Sequence, residues 1–100
     1  MIVIAGSIRI DPAQRERAAA AAREMMEATR RENGCRAYVF SFDVDDPGLV
    51  HLFEHWDSAA DLQAHFTAPH MARFQAAIAG LVRGTEIQRY EVSSVGPMRR

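Results

Sequence analysis

The sequence predicts an α+β fold in which one antiparallel sheet carries its helices on a single side. Three observations lead there: β-rich stretches over 1–10, 35–44, 49–56 and 85–95, apolar stripes at helical spacing between them, and capping or turn residues at the junctions. The resulting order is β-α-β-β-α-β with the second helical segment broken in two, which is the connectivity of a ferredoxin-like fold.

The first stretch is apolar at both parities, with Ile2, Ile4, Ile8 and Ile10 on one side and Met1 and Val3 on the other. A strand of that kind is covered on both faces. Asp11, Pro12 and Gln14 then supply an N-cap, a proline at the first helical position and a glutamine at the third. Ala18, Ala21, Ala22, Met25 and Ala28 recur at helical spacing until Asn33-Gly34 stops the run.

Residues 35–44 alternate, placing Tyr38, Phe40, Phe42 and Val44 opposite Ala37, Val39 and Ser41. Asp45-Asp46-Pro47-Gly48 turns the chain into 49–56, where Leu52, Glu54 and Trp56 oppose His51, Phe53 and His55. Ser58 caps a short helix carrying Leu62, His65 and Phe66, and Pro69 restarts the chain into another whose stripe is Met71, Phe74, Ile78 and Leu81. Gly80 and Gly84 bracket the exit, a last strand runs over 85–95, and 96–100 reads as a flexible tail after a single domain, 1–95.

Composition excludes several function classes. Apolar residues at 48% and charged residues at 25% are those of a globular domain, and no stretch approaches the roughly 20 apolar residues of a membrane span. The opening MIVIAGSIRI lacks a basic leader, so a cytoplasmic protein is expected. A net charge of −1 with mixed signs argues against nucleic acid and anionic lipid as partners. The single Cys35 forms no intrachain disulfide and reads as a small residue starting a strand. All twelve basic residues are arginine, which codon bias explains with less effort than anion recognition.

A four-stranded sheet with helices on one face leaves the other face bare, and here strands 1 and 2 place Ile, Val and aromatic side chains at both parities, so that face is not polar. The simplest cover is the same sheet of a second copy through a two-fold axis, so a homodimer is expected.

Three segments then look familiar: Glu32-Asn33-Gly34-Cys35-Arg36-Ala37-Tyr38, Glu54-His55-Trp56-Asp57-Ser58, and Leu62-Gln63-Ala64-His65-Phe66. Together they resemble the antibiotic biosynthesis monooxygenase family of dimeric α+β barrels, with element order matching over 2–93. The resemblance implies a cofactor-independent oxygenase of quinols, polyphenols or polyketide-like rings, with dioxygen as co-substrate. Haem-degrading relatives share the fold but use an Asn in the first strand, where this chain has Gly6 and Ser7, and a Trp where it has His65.

Such chemistry needs an apolar cleft for a flat ring, a base, and exclusion of water. His65, bordering an apolar stripe with a ring that titrates near neutrality, is the expected catalytic base, as against a structural histidine capping a carbonyl. Trp56, Tyr38, Leu62, Phe66 and Phe74 are the expected substrate-binding residues, although a Trp or Tyr more often simply packs. Glu54, on an apolar strand face, requires a partner, and Arg36 or Arg89 is expected to be it. No metal and no cofactor are expected: His51 and His55 lie about 13 Å apart along a strand, and His65 and His70 are not at a two-ligand helical spacing. A dimer that binds a small hydrophobic ligand without turnover, and a haem-binding relative, are the alternatives.

Overall fold

A computed structural model describes residues 1–99; Arg100, the end of the expected tail, lies outside the described residues. The strands are β1 (Ile2–Ile10), β2 (Cys35–Phe42), β3 (Leu49–Trp56) and β4 (Val82–Glu91), and the helices are α1 (Arg15–Thr29), α2 (Ala59–Phe66) and α3 (Pro69–Ala77). They form one antiparallel sheet in the order β2-β3-β1-β4, the ferredoxin-like arrangement expected.

Local chemistry sets most junctions where the sequence placed them. Asp11 accepts from the Ala13 backbone N–H, but Pro12–Gln14 form a single 3-10 turn before α1 begins. Ser58 Oγ accepts from the Asp61 N–H at 3.1 Å, and the Asp61 carboxylate accepts the Ser58 hydroxyl in return. Gly34 adopts φ +78°, and a Cβ there would meet the Asp61 side chain, so the exit from α1 requires glycine. In the β2–β3 turn the Asp43 carboxylate accepts from the N–H groups of Asp45 and Asp46, and Asp46 accepts from Gly48. The hydrogen bond from His51, then those backbone donors, hold Asp43 below the usual carboxylate range, and the Arg9 guanidinium does the same for Asp46.

Three boundaries differ from the sequence reading. β2 stops at Phe42 and leaves Val44 exposed, because the Asp43 turn begins two residues early. α3 ends at Ala77, so Ile78 and Leu81 continue its apolar stripe from a turn, with Gly80 at φ +82°. β4 starts at Val82 rather than 85 and ends at Glu91.

The core lies between the sheet and α1. Small Ala18, Ala21 and Ala22 bring the helix close to Tyr38, Phe40, Val50, Leu52 and Trp56, and Met25, Leu62 and Leu81 fill the gaps. Arg17 donates from Nε to the Ala77 carbonyl and from Nη2 to that of Ala79, tying α1 to the end of α3. The opposite sheet face carries Val39, Phe53 and Tyr90 at 37%, 44% and 47% exposure.

Candidate functional site

The sheet presents Leu52, Glu54 and Trp56 of β3 toward the helices, and the cap at Ser58 turns the chain so that α2 lays Leu62 and His65 over that face. Beside α2 the sheet is not roofed. There residues of β1, β3, α2 and β4 leave a cleft lined by Ile4, Leu52, Glu54, Leu62, Phe66, Ile87 and Arg89, about 560 Å³ counting its open mouth. Its wall is apolar apart from a carboxylate, a guanidinium and Gln88.

Glu54 is buried, and Trp56 Nε1 donates to its Oε1 at 2.9 Å. Burial raises its pKa, and the indole hydrogen bond and the nearby His65 only partly offset that rise. The expected arginine pair is absent. Arg36 instead binds the Asp57 carboxylate, and Arg89 lies 3.4 Å from Glu91, because both guanidinium groups find an exposed acid close by along or beside their own strand.

Behind this wall lies a cluster of rings. His65, 1% exposed, sits 4.9 Å from Trp56 and 5.2 Å from Tyr38, centroid to centroid, with Phe66 at 6.0 Å. Its Nδ1 is 2.7 Å from Glu32 Oε2, and the same oxygen is 2.6 Å from His70 Nε2. A carboxylate bonded to Nδ1 selects the tautomer that carries its proton there, leaving Nε2 a lone pair. That Nε2 is buried and has no hydrogen-bond partner among the described residues. Tyr38 is also buried, and desolvation, then Glu54, push its hydroxyl far above the usual tyrosine range. Burial pushes the Cys35 thiol up to about 11, so it is no thiolate nucleophile at neutral pH.

The expected site residues therefore divide. Leu62 and Phe66 line the cleft, while Trp56, Tyr38 and His65 form the packed layer next to it. Phe74 stands apart: it stacks on Phe40 at 5.3 Å and lines a separate apolar hollow with Ile8, Ala22 and Ile78 beneath α1. Two residues of the site were not singled out as candidates, Glu32 and His70. The sequence reading broke the chain at Pro69 but still judged His65 and His70 by helical spacing, whereas the turn at Thr67–Ala68, between α2 and α3, brings the two rings to 6.1 Å.

Comparison with known proteins follows the same lines. The chain is 31% identical over 93 residues to an uncharacterised protein of Synechocystis, covering 92% of this chain and 63% of that protein's length. It is 29% identical over 90 residues to the probable quinol monooxygenase YgiN of Escherichia coli, covering 80% of this chain and 86% of that one. Among solved structures, a Deinococcus radiodurans protein assigned to antibiotic biosynthesis monooxygenases superposes with a TM-score of 0.88 at 25% identity over 100% of both chains. A Nitrosomonas europaea protein, at 21% identity and a TM-score of 0.87 over 94% of this chain and 100% of that one, shares the fold. The family model for antibiotic biosynthesis monooxygenases matches residues 1–77, and the chain belongs to that family.

Proposed function

We propose that the protein is a monooxygenase that works without metal or flavin on an electron-rich aromatic ring, a quinol or related polyphenol, held in the cleft of Ile4, Leu52, Leu62, Phe66 and Ile87. The observation that carries this reading is the state of His65: one ring nitrogen fixed by Glu32, the other buried with no hydrogen-bond partner among the described residues, in the packed layer behind Leu62 and Phe66 of an apolar cleft. That is the arrangement of an oriented general base. Phe66, half exposed on the same helix, lines the cleft with its ring 6.0 Å from the imidazole.

In the reaction His65 takes a phenolic proton, and the electron-rich phenolate then reduces dioxygen itself. One oxygen atom replaces a ring hydrogen, the other leaves as water, and a hydroquinone becomes a hydroxyquinone, so the substrate supplies all four electrons and no external reductant enters. Glu54 and Arg89 are the polar groups that face the ring's oxygens across the cleft. YgiN, the relative named for quinol oxidation, supports this substrate class.

The same reading includes a homodimer joined through the outer sheet face, where Val39, Phe53 and Tyr90 are exposed. The test of the catalytic reading is oxygen uptake by chelator-treated protein with a panel of hydroquinones. Expected is label from dioxygen in the product and a rate lowered at least about 100-fold in His65→Ala, the usual share of a positioned base. Binding of the rings without uptake, or uptake unchanged in His65→Ala, would overturn it, and the first result would make the chain a ligand-binding protein.

A further inference from the structure

Glu32, His65 and His70 reach one point from three separate segments: the turn after α1, the last turn of α2 and the first turn of α3. Their potential ligand atoms all lie within 4.8 Å of one another, and the three side chains are 15%, 1% and 13% exposed. Two imidazoles and one carboxylate are the donor set that suits zinc and its first-row neighbours. We infer that these three residues form a binding site for a zinc-class divalent cation, which takes Glu32 Oε2, His65 Nδ1 and His70 Nε2.

The exchange is balanced within the side chains. The ion takes the imidazoles in their neutral form with the ring proton on the far nitrogen, Nε2 of His65 and Nδ1 of His70, so that the lone pairs of His65 Nδ1 and His70 Nε2 bind it. The carboxylate offsets one of its two charges, and water completes the fourth position. With metal–ligand distances near 2.1 Å, tetrahedral ligands stand roughly 3.4 Å apart. The carboxylate oxygen now stands 2.6 and 2.7 Å from the two ring nitrogens, and the three atoms lie within 4.8 Å of one another, so the imidazoles must move back from Glu32 by a fraction of an ångström to admit the ion. His70 stands at the start of α3, where Ala68 caps the helix with no side-chain hydrogen bond, and Glu32 stands in a turn; neither is locked in the middle of a helix.

Occupation has one consequence for the chemistry above, and it rests on that proposal: with its proton moved to Nε2, His65 can no longer act as a base. Zinc is therefore an inhibitor of this protein and not its cofactor. The test is calorimetric titration of zinc into chelator-stripped protein, with cobalt(II) absorption in the visible as a second readout that needs no variant. Expected are one ion per chain, a cobalt spectrum of nitrogen and oxygen ligation at low coordination number, and affinity weakened tenfold or more in both Glu32→Gln and His70→Ala, each checked for folding by circular dichroism. His51→Ala, on the opposite face of the sheet, leaves the affinity unchanged. Two histidines merely sharing a carboxylate predict no stoichiometric ion, or binding indifferent to both substitutions with a hexa-aquo cobalt spectrum, and either result overturns the site. Tight binding that leaves oxygen uptake untouched supports the site and counts instead against His65 as the base.

Discussion

At Glu54 a carboxylate is 6% exposed among Ile4, Leu52 and Leu62, and the indole of Trp56 is the donor that it is given. Its pKa is raised by burial, so the folded chain binds this proton more readily than the unfolded chain, whose glutamates titrate near about 4.3. Above the folded value both states are ionised and the native state bears the desolvation cost. As pH falls through the folded value the native state protonates first, and stability rises until the unfolded chain also takes up its proton. Asp43 and Asp46 act with the opposite sign: their lowered values stabilise the fold above the unfolded carboxylate range, and that contribution is lost as pH falls through the folded values. Glu54→Gln keeps an oxygen for the Trp56 N–H and removes the charge. Its thermal midpoint at pH 8 is expected to rise by a few degrees, the size that about 1 kcal/mol produces in a domain of this length, and the gain should vanish toward pH 4. An equal or lower midpoint at pH 8, measured by calorimetry, would mean that Glu54 is ionised and compensated, with Arg89 across the cleft as the compensating group.

At the scale of elements, the junction of β1 and β4 depends on one position. A Cβ at Gly6 would lie 2.0 Å from the Glu86 carbonyl oxygen and 2.7 Å from Ile87 Cα, so β4 can cross β1 this closely only over a glycine. Gly6→Ala is expected to cost about 1–3 kcal/mol, as overpacking does, and to do so locally. Hydrogen exchange should speed up in β4 while the β2–β3 hairpin keeps its protection; uniform loss across all four strands would show that β4 is not a separable element. The sequence reading noticed Gly6 only as the place of a missing asparagine, because a backbone approach between strands 80 residues apart leaves no local mark. What could be read was local: the caps at Asp11 and Ser58, the turn at 45–48, and the alternation of Tyr38, Phe40 and Phe42. The end of α3 was not, since Ile78 and Leu81 drop into the same core from a turn as they would from a helix. The site divides the same way. His65 and Trp56 announce themselves by chemistry on an apolar face, whereas Glu32 and His70 belong to it only because the chain bends between α2 and α3.

For the whole molecule, the unresolved charge of the fold is its outer face. Val39, Phe53 and Tyr90 project there from three strands, and Val3 and Ala5 of the fourth lie between them in register, Val3 opposite His55 and Tyr90, Ala5 opposite Phe53 and Gln88. The Nε2 of His55, on the same face, is buried without a hydrogen-bond partner among the described residues. Large apolar side chains exposed together on one sheet face mark an interaction surface. A second copy presents the same face, and pairing the two sheets through a two-fold axis is the simplest cover for it. Sedimentation equilibrium at micromolar concentration is expected to give twice the chain mass. Phe53→Glu places two carboxylates near the axis, where neither finds a partner, and should weaken the dimer by about 2–4 kcal/mol, the range of an interface hot spot, or roughly 30- to 1,000-fold in dissociation constant. Because Phe53 points away from the Trp56–Met25 core, the variant's far-ultraviolet circular dichroism should match the parent's. A parent chain that sediments as a single subunit at that concentration removes the second copy, and with it the reason for an apolar face on that side of the sheet.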